Sequence, residues 1–148
     1  MPAFRQLPRT ALALLLFLGG GVSLSAAERP ASSKEAPSDL VVLWTSGDPD
    51  VAHRVALMYT HAAKTMGWFE EVRLIIWGPS QRILVGDKDL QAKIVEMRTD
   101  GVIVEACIAC AKSFGIVEAL RQLDLPVKPM GKPLTSYLKN PTYAVITF

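Results

Sequence analysis

This chain of 148 residues holds only two cysteines and two histidines, so any thiol chemistry rests on one pair. No G-x-G-x-x-G turn and no Walker sequence occurs, which removes the dinucleotide and P-loop signatures. No Ser-His-Asp arrangement has local support. No internal repeat or low-complexity tract is present, which excludes a solenoid. Excess charge is scarce too. The 16 Lys+Arg against 14 Asp+Glu give a formal net charge of +2.

The two surplus bases, Arg5 and Arg9, sit in an N-terminal segment with the parts of a secretory signal. They precede a short apolar core, Ala11 to Leu18, and Ser25-Ala26-Ala27 offers small residues for cleavage before Glu28. The apolar stretch 11–27 is 17 residues and carries Gly19-Gly20-Gly21, poor material for a lasting membrane span. Residues 1–27 are therefore expected to be a signal peptide cleaved after Ala27, giving a periplasmic or secreted protein with no membrane attachment. No cysteine adjoins the site and no Arg-Arg pair occurs, which points away from a lipoprotein and from twin-arginine export. Without Arg5 and Arg9 the remainder carries 14 residues of each sign. Nothing in that balance favours nucleic acid, which selects clustered Lys and Arg.

Residues 28–38 are polar, contain proline and read as a flexible leader to a single domain, 39–148. There, apolar runs alternate with helical spacing. Leu40–Trp44, Val72–Trp77, Val102–Ala106 and Tyr143–Phe148 read as strands, and Val127–Met130 as a weak one. Helices are expected over 50–66, 80–85, 87–97, 109–114, 116–123 and 133–138. Asp48 and Asp50 suit the start of the first. The alternation predicts a mostly parallel sheet covered on both faces. It also gathers the loops Thr45–Asp50, Trp77–Ser80 and Cys107–Cys110 on one rim, where α/β sheets bind ligands. Ser46, Asp48, Trp77 and Ser80 are the pocket candidates on that rim.

The chain's one thiol pair, Cys107 and Cys110, lies at a strand-to-helix junction in E-A-C-I-A-C-A-K. A helix N-terminus favours the thiolate, the reactive form. Several uses remain open from spacing alone. A zinc site would need His53 and His61 as well, eight residues apart and about 80° apart around a helix. A soft-metal transfer loop, a thioredoxin-type dithiol and a short-loop disulfide of small stabilising value are the others. His53 and His61 otherwise read as helix-surface residues, and Lys112 as solvated.

The segment A-C-I-A-C-A-K-S-F-G-I, continued by V-E-A-L-R-Q-L-D-L-P-V-K-P-M-G-K-P-L, resembles the DsrE/DsrF-like sulfur-relay family. W-G-P-S, D-L-Q-A-K-I and the closing V-I-T-F fit the same order, so the resemblance runs from Leu40 to Phe148. It implies a three-layer α/β/α fold of flavodoxin-like architecture with a five-stranded sheet. It also implies oligomers, commonly trimers or hexamers and sometimes of mixed subunits; a homo-oligomer is expected here, with no cofactor and no metal. The partners implied are sulfur donor or acceptor proteins, or small sulfur compounds. In relay members a cysteine opening C-x-A-A-x-x-x-x-G carries a persulfide. Cys107 stands eight residues before Gly115 and matches that carrier. Cys110 stands where those members have alanine, and a thiol there would resolve the persulfide to a disulfide with loss of sulfide.

Overall fold

The computed structural model describes residues 35–148. The expected signal peptide, 1–27, and most of the leader lie outside the described residues. Among the described residues no helix is long and apolar enough to cross a membrane.

Five strands form one sheet: β1 (Asp39–Trp44), β2 (Val72–Ile76), β3 (Ile103–Cys107), β4 (Val127–Lys128) and β5 (Tyr143–Thr147). Their order is β4-β3-β2-β1-β5, and every neighbouring pair is parallel. Flavodoxin-like folds share this layering but run 2-1-3-4-5. The central strands are apolar runs because a parallel sheet with helices on its faces leaves few strand positions for water. Val72-Arg-Leu-Ile-Ile76 is buried at every position but Arg73.

The helices follow from local caps and periodicity. Asp48 accepts the Asp50 N–H at 2.8 Å, and Pro49 opens α1 (Pro49–Val51), a start that the missing N–H of proline tolerates. The chain continues through a π-helical segment, Ala52–Ala56, into α2 (Leu57–Thr65). Next come α3 (Ser80–Gly86) and α4 (Lys88–Thr99), the latter capped by Asp87 on the Asp89 and Leu90 N–H groups at 2.9 and 3.0 Å. After β3 follow α5 (Ile108–Phe114) and α6 (Val117–Gln122), and after β4, α7 (Gly131–Lys139). Gly115 ends α5 at φ 67°, the left-handed conformation glycine adopts without strain.

Sidedness follows from the connections. Each step β1→β2→β3→β4 moves one strand in the same direction, so right-handed crossovers put the π segment and α2–α6 on one face, here face A. The step β4→α7→β5 returns across the sheet and puts α7 on the opposite face, B. The core agrees. Leu40, Val42, Trp44, Leu74 and Ile76 pack with Leu57, Leu90, Ile94 and Leu120 on face A. Val41, Ile75, Cys107 and Met130 pack with Leu134 and Tyr137 of α7 on face B.

Candidate functional site

β3 and β4 are neighbours whose chains leave in opposite directions. From β3 the chain turns into α5 on face A; from β4 it turns into α7 on face B. That divergence is a topological switch point, and it opens the crevice in which open α/β sheets bind ligands. Cys107 is the last residue of β3, at the crevice, and its register partner across the gap is Lys128, the last of β4.

Cys107 also occupies the N-cap of α5, so Cys110 falls in the first helical turn. Both thiols are free. Cys107 is 2% exposed within the face-B apolar cluster, whereas Cys110 is half-buried. Burial raises the Cys110 thiol above its ordinary value, and a hydrogen bond from it to Cys107 and the adjacent Cys107 charge act in the same direction. The Gly78 N–H, aimed at the Cys110 sulfur, opposes them. Gly78 holds φ +67°, a conformation that a side chain would strain.

The three rim loops do converge. Gly47 abuts Pro79, so closely that an added Cβ would lie 3.0 Å from the proline Cβ. Trp77 N–H donates to Trp44 O at 2.9 Å, and Gly78 reaches Cys110. The pocket candidates divide by accessibility. Trp77 is half-buried and packs against the face-B cluster that contains Cys107. Ser46 is half-buried and accepts the Asp48 N–H at 3.1 Å; Asp48 is exposed and spent on its helix cap. Ser80 is fully buried, its Oγ 2.7 Å from Trp44 O and 3.0 Å from Trp77 O, so its hydroxyl clamps strand ends. His53 and His61 turn away from the thiols to Asp87 and Asp100, at 3.1 and 2.6 Å, so the Cys2His2 zinc arrangement does not form.

Five residues around the site escaped the sequence reading. Gln81, fully buried, donates to Ile76 O at 2.9 Å and to Cys107 O at 3.0 Å, tying the ends of β2 and β3 together. Glu105, on Cys107's face two residues earlier, has a side chain only 7% exposed. It pairs with Lys128 at 2.5 Å and lies 3.7 Å from Arg73. Arg73 in turn grips Glu71 at 2.6 and 3.2 Å. Hydrogen bonding to Arg73 holds the Glu71 carboxyl below its usual range against the opposing effect of burial. An acid inside the apolar run Val102–Ala106 was the available signal, because a buried carboxylate requires a partner.

The comparisons with known proteins agree with this architecture. Residues 38–148 match the DsrE/DsrF-like family. No curated protein matches. The solved structure of a conserved protein of unknown function from Bacteroides thetaiotaomicron is similar at 33% identity and a TM-score of 0.70. The match covers 75% of this chain and 95% of that one. A parallel five-stranded sheet with its thiol pair at the end of β3, and a family match over the whole described domain, lead to one conclusion: the chain belongs to the DsrE/DsrF-like family.

Proposed function

We propose that this is an exported thiol protein that takes up sulfane sulfur as a persulfide on Cys107 and resolves it with Cys110. The observation that carries the reading is the placement of two free, adjacent thiols at the β3/β4 switch point, one buried in the face-B apolar cluster and one half-buried against it. The Cys107 thiolate attacks the outer sulfur of a polysulfide or of thiosulfate. This forms Cys107–S–SH and releases the shortened polysulfide or sulfite. The Cys110 thiolate then attacks the Cys107 sulfur, expels hydrosulfide and closes a disulfide, which a dithiol reductant reopens.

Burial of Cys107 shelters a persulfide from water and competing thiols. The raised Cys110 thiol stays protonated at neutral pH and resolves slowly, because only the thiolate attacks. Export rests on the N-terminal sequence, and a trimer or hexamer on the family resemblance. The thin cover of face B, where no α7 residue is fully buried, supports assembly. Light scattering on the purified protein reads that state directly.

Intact-mass spectrometry of reduced protein after exposure to polysulfide tests the chemistry. Cys110→Ser should hold one added sulfur atom, wild type should convert to the disulfide with sulfide released, and Cys107→Ser should stay unmodified. An unmodified Cys110→Ser protein with Cys107 still alkylatable removes the carrier reading.

A further inference from the structure

The two edges of the sheet differ in their defences. β4 is two residues long, stands between Pro126 and Pro129 and carries Lys128. Shortness, proline and lysine are the means by which an open edge avoids pairing with another chain. β5 has none of them. Tyr143–Thr147 is five residues long and holds no charge and no proline, and among the described residues no strand pairs with its outer side. The ladder shows which backbone groups are open. Phe148 N–H donates to Leu43 O, and Thr45 N–H donates to Phe148 O. Alternate residues of a strand turn the same way, so Val145 and Thr147 direct both N–H and C=O outward.

An apolar surface adjoins that edge. Ala144, Ile146 and Phe148 share face A by strand alternation, and Ala144 and Phe148 pack on the core there. Ile146 remains 36% exposed. Beside them the π segment and α2 place Val55, Met58, Tyr59 and Met66 at the spacing of one helix side. Met58 and Met66 are 58% and 69% exposed, and Trp68, just past the helix, is 55% exposed. Tyr59 joins the two parts, its ring 6.0 Å from Trp68 and 5.9 Å from Phe148. Of the eight large apolar side chains that stand exposed among the described residues, five (Val55, Met58, Met66, Trp68 and Ile146) fall in this region, so the patch is not random surface scatter. A patch of this kind marks an interaction surface.

We propose that the β5 edge pairs antiparallel with β5 of a second copy of this chain, across a two-fold axis at Ile146, making one sheet continuous through both copies. A two-fold contact joins a surface to itself, and this surface suits itself. With the axis at Ile146, Val145 of each copy meets Thr147 of the other, and every outward N–H and C=O of those residues gains a partner. Ile146 faces its counterpart on face A as a close, non-hydrogen-bonded pair, and the α2 patches flank the junction. No charge of the strand is set against its like, because β5 carries none. The chain's own leader does not suit the place: residues 28–34, E-R-P-A-S-S-K, bring three charged groups and a proline to an uncharged, apolar surface. The contact is independent of the thiol chemistry. It admits a dimer or a hexamer and excludes a lone trimer, whose odd count leaves one edge unpaired.

Sedimentation of the purified protein counts the subunits. The number should be even. Ile146→Lys should halve the mass, from dimer to monomer or from hexamer to trimer, because it sets two ammonium groups face to face. Thr147→Pro should do the same by removing an outward donor that β1 does not use. A monomeric or trimeric wild type overturns the proposal, and a trimer does so while leaving the sulfur chemistry untouched. An unchanged mass in Ile146→Lys overturns it too. Should either variant fail to fold, Ile146→Cys decides, since thiols opposed at the axis are close enough to join on oxidation. A disulfide between two copies of the 146 peptide, mapped by mass, supports the contact; its absence after oxidation overturns it.

Discussion

Among the described residues, face A of the sheet is covered by the π-helical segment and α2–α6, while face B is covered by α7. Face A buries Trp44, Leu74, Leu90 and Met97 with no measurable exposure. Across face B no residue of α7 is fully buried, and Leu138 remains 64% exposed. Face B also carries the charged chain Glu71–Arg73–Glu105–Lys128, whereas face A is apolar along the same strands. The difference separates two tasks. Face A supplies the packing that holds the fold. Face B holds Cys107 beneath a light cover, where local opening costs less than global unfolding.

That contrast is open to attack, first on face A. Leu74→Ala should destabilise the protein by about 3 kcal/mol, read as a lowered denaturation midpoint at unchanged slope. Lys128→Met should come next, at roughly 2 kcal/mol, because it strands the buried Glu105 carboxylate. Glu105→Gln should cost less than Lys128→Met, since the freed lysine is nearly half exposed and turns to water; the reverse order would mean that the pair is not held as described. Leu134→Ala in α7 should cost only about 1 kcal/mol, since the side chain is half-buried. It should nevertheless speed alkylation of Cys107 more than Leu74→Ala does. Equal acceleration by both would erase the distinction between the faces.

The smallest effect concerns pH. Glu71 has a lowered carboxyl in the fold, so its contribution is present above the ordinary value of 4.5 and lost as pH falls through the lowered one. Glu71→Gln should lower stability at neutral pH and flatten the acid limb of the profile, so that the two proteins converge as pH falls through that window.

Much of the fold was legible because each strand is a short apolar run and each helix carries its own cap or period. Asp48-Pro49, Asp87 and Gly115 mark boundaries by local chemistry alone. The pair at Cys107 was legible for the same reason, since two thiols at a strand end need no tertiary information. Sidedness was not. It depends on β5 returning past three strands to pair with β1, a long-range choice that no window of sequence contains. The Glu105–Lys128 pair and the Gln81 clamp were hidden likewise, because parallel register joins residues that are distant along the chain. His61 read as a surface residue because its cover comes from Lys93, Glu96 and Asp100 on another helix.

The raised Cys110 thiol makes the rate of sulfide release a readout of the site. Release by wild type should keep rising with pH beyond the range in which an ordinary thiol is fully ionised, and a plateau below that range would contradict the assignment of Cys110 as resolver. The most direct test of the central claim is the position of the trapped sulfur. Reduced Cys110→Ser protein is exposed to polysulfide, alkylated and digested, and its peptides are mapped by mass. The account predicts the alkylated persulfide on Cys107. A Cys107 peptide without added sulfur, alongside a wild-type protein that holds its sulfur stably on Cys110, would contradict it.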